Sequence, residues 1–105
     1  MTREALREIA KERFGDLVKA VVDVKQDIMV VGGELHADEE DVLLASGSTQ
    51  QDVWGINIYP DKEGEEWIEF VSMINLRPAQ GNRSRGIDDP SIRGTIQRIV
   101  QALIT

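Results

Sequence analysis

Cysteine is absent from the chain. That excludes Cys-based zinc sites, iron–sulfur clusters, thiol nucleophiles and disulfide frameworks. Long apolar runs are missing as well. None approaches the roughly 20 residues of a membrane span, and the charged N-terminal segment does not read as a signal peptide. A cytoplasmic protein with no membrane association is therefore expected. Basic residues are scarce in the middle of the chain, where residues 34–69 hold 11 acidic side chains against Lys62 alone. Phosphate neutralisation needs a continuous basic surface, so broad contact with nucleic acid is not expected. There is no repeat, low-complexity tract or linker.

What is present fits one domain spanning residues 1–105, with 41% hydrophobic and 30% charged residues. A chain of this size hides roughly two-thirds of its unfolded surface, enough for a core without a disulfide or structural metal. The net charge of −7 is unevenly spread, since residues 70–105 carry five arginines against Asp88 and Asp89.

Thr2 is placed to cap a first helix in which Leu6, Ile9, Ala10 and Phe14 recur at helical spacing, and Gly15 is a natural stop. In "LVKAVVDV", Val18, Ala20, Val22 and Val24 alternate with Lys19, Val21 and Asp23, the pattern of a strand with one buried face. "IMVV" reads as an interior strand. "HADEEDVLLASG" reads as a short helix that is acidic in its first turn and stopped by Gly47. Trp54, Ile56 and Ile58 share one face of a third strand. In "WIEFVSMINL", Ile68, Phe70, Ile74 and Leu76 share one face of a fourth. Asp89 and Pro90 open a last helix striped by Ile92, Ile96, Ile99, Val100 and Leu103. Gly94 within that helix suggests a close backbone approach.

The order α-β-β-α-β-β-α implies an α+β fold with a mainly antiparallel four-stranded sheet and helices packed on one face. Setting Ile58 opposite Ile68 and Ile56 opposite Phe70 puts the large aliphatic residues together. The other sheet face then carries Asn57, Glu69, Val71, Tyr59 and Trp67. Aromatics on a polar face suit a binding surface, or lie under a covering loop.

Three stretches, "GGELHADEE", "QQDVWGINIYP" and "SMINLRPAQGNRS" followed by "DDP", resemble a family of small bacterial and archaeal proteins of unknown function. The resemblance runs from "LREIAKERFGD" to the final helix and implies a single domain. No activity is assigned to that family, so it supplies no catalytic residue.

Two constellations can carry chemistry. In "ELHAD", an extended backbone would point Glu34, His36 and Asp38 to one side, as weak candidates for a metal site or for a base oriented by a carboxylate. The simpler reading makes Asp38 a helix cap, and no metal or cofactor is expected. In "RPAQGNRSRGIDDP", the side chains of Arg77, Gln80, Asn82, Arg83 and Arg85 offer many donors for an anion. The loop matches neither a P-loop nor a dinucleotide fingerprint. Asp88 and Asp89 also occupy the helix N-terminus that would otherwise attract a phosphate. The competing reading pairs these arginines with the protein's own carboxylates, such as Glu34, Asp38, Asp52 or Glu69.

Three functional readings follow. A non-enzymatic binding module would hold a protein, a nucleic-acid segment or a small anionic ligand through the arginine loop and the Asn57, Tyr59 and Trp67 face. A small hydrolase would use His36 with nearby carboxylates such as Asp52 and Glu69. A homo-oligomeric scaffold would bury the aromatic face against a second copy. The absence of GxSxG, HExxH or another nucleophile setting favours the first.

Overall fold

The computed structural model describes residues 1–105. Helix α1 (Arg3–Arg13) leads into strands β1 (Val18–Asp23) and β2 (Ile28–Gly33), followed by helix α2 (His36–Ala45). Strands β3 (Val53–Ile58) and β4 (Ile68–Glu69) come next, and helix α3 (Pro90–Leu103) closes the chain. The strands form one antiparallel sheet in the order β2-β1-β3-β4. This is the α+β architecture that the sequence implies. The run "IMVV" nevertheless lies at the sheet edge rather than inside it, bonded to β1 alone.

Capping follows local chemistry at both ends of the chain. The Thr2 hydroxyl accepts from the Ala5 N–H at 3.0 Å, and the Asp89 carboxylate accepts from the Ser91 N–H at 2.8 Å. Each satisfies a backbone donor that has no partner within its helix. Phe14 belongs to no core. It sits past the end of α1, 41% exposed, beneath the Lys19 ammonium.

One sheet face carries the main core. Val18, Ala20 and Val22 of β1 lie beside Ile56 and Ile58 of β3, and Ile58 stands opposite Ile68. Leu6 and Ala10 of α1 and Ile96, Ile99 and Val100 of α3 cover them. The second face is covered too, because Leu43 of α2 packs on Val21 and Val53. The helices therefore flank the sheet on both sides, two against one. The reason is parity: the apolar side chains at Val21 and Val53 point away from α1 and α3 and need their own cover. Asp23, on the same side, is fully buried and accepts hydrogen bonds from the Lys25 and Gln26 N–H groups, the Gln26 amide and the Ser48 hydroxyl. Burial alone would raise its pKa, but these donors outweigh that and lower it.

The fourth strand is far shorter than its alternation implies, ending after Ile68 and Glu69. The chain then turns across β3 at Gly55, where a Cβ would sit 2.6 Å from Ser72. Asn75 takes over the pairing. Its Oδ1 accepts from the Gly55 N–H at 2.8 Å and its Nδ2 donates to the Gly55 carbonyl at 2.9 Å. A side-chain amide thus supplies what a continued strand would have supplied. Ile74 consequently packs on the second face and Leu76 is 44% exposed, against their expected place with Ile68 and Phe70. Gly94 meets no close approach either, since nothing lies within 4 Å of a Cβ built there.

Candidate functional site

The arginine-rich loop is a built structure before it is a surface. Arg77 and Asn82 bond to each other through both backbone pairs, at 2.8 and 3.1 Å, closing "RPAQGN" into a turn with Gly81 at φ 84°. Asn82 is buried at its centre. Its amide nitrogen faces the Asn75, Ser84 and Gly86 carbonyls, and its Oδ1 accepts from the Asp88 N–H at 2.8 Å. Asp88 in turn accepts from the Ser84 hydroxyl and the Arg83 N–H. The acid that would repel a phosphate is therefore committed to holding the loop's shape.

The three arginines separate into different roles. Arg77 is claimed by the protein. Its guanidinium donates to the Ile74 and Val53 carbonyls, lies 3.6 Å from the Glu40 carboxylate and stacks 4.6 Å from the Trp54 ring centroid. Burial lowers its pKa while Glu40 raises it, and Glu40 is itself pushed up by burial. Arg83 and Arg85 are exposed and take part in no ion pair or side-chain hydrogen bond. The Arg85 backbone carbonyl is fixed by the Ser72 N–H and the Asn75 amide, which leaves its side chain free on an anchored main chain.

Arg85 lines an open cleft of about 340 Å³ between the start of α2 and the segment after β4. Lys19, His36, Asn57 and Ser72 supply its other polar walls. Lys19 and Asn57 are direct cross-strand partners, so register alone sets them side by side. Lys19 has no carboxylate partner. The floor belongs to the sheet and one wall to the first turn of α2. That helix begins at His36 rather than at Asp38, and Leu35 at its cap makes no side-chain bond to the free N–H groups. Asp38 is an exposed first-turn residue instead of the cap the sequence suggested.

His36 forms part of the wall but is already engaged. Its Nε2 lies 2.7 Å from the Ile56 carbonyl, which only accepts, so Nε2 carries the proton. Burial lowers its pKa, the Ile56 bond opposes that, and the Lys19 charge adds to the lowering. One helical turn on, Glu39 is 2% exposed. It accepts from the Gly33 N–H through one oxygen at 3.1 Å while the other has no partner. Burial raises its pKa to about 8, with the Gly33 bond and Lys19 opposing and Asp38 reinforcing. Burial thus favours its neutral form.

The remaining candidates do not converge here. Glu34 pairs with Arg13 at 3.0 Å, and no group of three or more His, Asp or Glu side chains is arranged to hold a metal ion. Asn57 donates to Glu69 at 2.8 Å, whereas Asp52 precedes β3 at the end where Val53 pairs with Asp23. Tyr59 lies near Glu69, 3.5 Å from its carboxylate, and takes the Lys62 ammonium over its ring. Gln80 donates to the Gln51 carbonyl. Trp67 is not on the polar face at all. It is 5% exposed within the main core, capped by the Arg3 guanidinium 4.1 Å from its centroid. The chain departs from strand geometry before Ile68, so the alternation that placed Trp67 outward does not extend to it.

Sequence reasoning missed Lys19, Leu35 and Met73. Lys19 was legible in principle, because its odd position in β1 puts it on the face that carries Asn57 once those strands pair.

These features define a small α+β domain with one ordered arginine loop and one cationic cleft. A family model described as "Protein of unknown function (DUF5674)" matches residues 1–103, and the chain belongs to that family. No curated protein and no solved structure matches it. No helix is long and apolar enough to cross a membrane.

Proposed function

We propose that the chain is a non-catalytic binding module whose ligand presents an anionic group to the cleft between α2 and the arginine loop. One observation carries this reading: Lys19 and Arg85, neither paired with a carboxylate, line the same cleft. Five of the twelve Lys and Arg side chains pair with a carboxylate; Lys19 and Arg85 are among the seven that do not, and their meeting around one concavity favours an external anion. Asn57 and Ser72 add polar groups to the same walls. A hydrolytic reading has less to draw on. His36 spends Nε2 on the Ile56 carbonyl, and Glu34 lies with Arg13.

The test is amide chemical-shift mapping with acetate, sulfate and inorganic phosphate at pH 7. Binding here should move the His36, Ala37, Asn57 and Ser72 amides saturably, and Lys19→Gln with Arg85→Gln should abolish the shifts while unfolding stays unchanged. Shifts confined to Arg83, or none at all, would remove the proposal.

A further inference from the structure

The cleft has a second chemistry beside its charge. Leu35 is 55% exposed, Val71 44% and Met73 61%, and all three line the same concavity as Lys19 and Arg85. These are large side chains left in water next to one another, where scattered single ones would need no explanation. Their exposure follows from two features of the fold. Leu35 stands at the uncapped start of α2, and Val71 and Met73 lie on the segment that leaves the sheet after β4. The rest of the lining is the two cations, the polar groups of His36, Asn57 and Ser72, and the side chains of Ala37 and Ile74.

We infer that the ligand is an amphipathic monocarboxylate, with its charged end between Lys19 and Arg85 and its apolar body across Leu35, Val71 and Met73. This rests on the anion-binding reading above and specifies the ligand within it. Charge complementarity selects the head: two cations, one carried on an anchored loop, match a carboxylate. The apolar rim selects the body. At about 340 Å³ the cleft stands at the small end of ligand pockets, suited to an acid of about six to ten carbons. A multiply charged anion such as citrate would leave charge against the apolar rim and gain nothing from it. Glu69 stands beyond Asn57 and holds its amide, so a second carboxylate on the ligand would also meet repulsion there.

The experiment is a chain-length series of acetate, butyrate, hexanoate, octanoate and decanoate. Each is titrated below its micelle concentration at pH 7 into the full chain and read by amide shifts and calorimetry. The dissociation constant should fall about two- to four-fold for each added CH₂ until the cleft is filled. Lys19→Gln with Arg85→Gln should weaken every acid by about ten-fold or more. Leu35→Ser with Met73→Ser should flatten the dependence on length, so that octanoate and decanoate gain little over acetate. Equal binding of acetate and decanoate would overturn the inference and leave the anion-binding reading standing. No binding by any acid would overturn the inference, and the anion-binding reading with it if sulfate and phosphate also fail to bind; equal binding of octan-1-ol and octanoate would overturn both. Should sedimentation instead reveal a dimer that the Leu35→Ser and Met73→Ser variant dissolves, the rim is a contact between copies and the inference fails.

Discussion

Replacing Glu39 by Gln should change how stability depends on pH. Glu39 is held against the sheet by α2, 2% exposed, with one oxygen on the Gly33 N–H and the other unpartnered. Its pKa rises from the ordinary 4.5 to about 8 because burial disfavours the charge. Between those values the unfolded chain has released the proton and the folded chain has kept it. Stability must therefore be highest below about pH 4.5 for this group and fall as pH rises towards 8. At about 1.4 kcal/mol for each pH unit, the loss reaches a ceiling of roughly 4–5 kcal/mol. The amide introduced by Glu39→Gln cannot ionise and escapes that loss. His36 works in the opposite direction, its lowered pKa costing stability as pH falls below 6.5, but it is common to both proteins and cancels in their difference. Urea unfolding of both proteins at pH 5, 6, 7 and 8 gives that difference directly. Glu39→Gln should gain on the parent steadily from pH 5 to 8. A constant difference, or one that shrinks with pH, would refute a neutral buried Glu39.

The loop and its supports make separate predictions. Asn75→Ala leaves the buried Gly55 N–H and C=O without their partners and should cost about 2–4 kcal/mol in urea unfolding. Arg77→Ala strands the 12%-exposed Glu40 side chain and should lower stability by about 2–4 kcal/mol, whereas Arg83→Ala should leave the melting temperature within about 1 °C of the parent. Gly94→Ala, exposed and free of neighbours, should stabilise by about 1 kcal/mol, read calorimetrically as a rise of roughly 4–8 °C.

Much of the fold was legible because it depends on periodicity and caps. Thr2, Asp89 and Pro90 mark helix starts by local hydrogen bonding, and the β1 and β3 alternation fixes which residues share the main core. What was not legible depends on contacts distant in sequence. Nothing local to "WIEFVSMINL" says that Asn75 will replace a strand, yet that replacement moves Ile74 and Leu76 off their expected face. Trp67 likewise turns into the core because the chain leaves strand geometry before Ile68, and Arg3, sixty-four residues earlier, lies over its ring. The arginines looked alike in sequence. Only the fold distinguishes Arg77, taken up by Glu40 and Trp54, from Arg85, which is left free at the cleft.

The Asn75 amide has one further effect. Beyond Glu69 the flank of β3 would present unpaired backbone groups, which invite another chain to add a strand. At Gly55 both groups are occupied by a side chain that no incoming strand can extend. The flank of β3 is closed at Gly55 without being lengthened, so that position offers no backbone template to an added strand. In the proposed binding module, recognition on this flank would rest on side chains around the cleft rather than on a backbone edge that accepts any extended peptide.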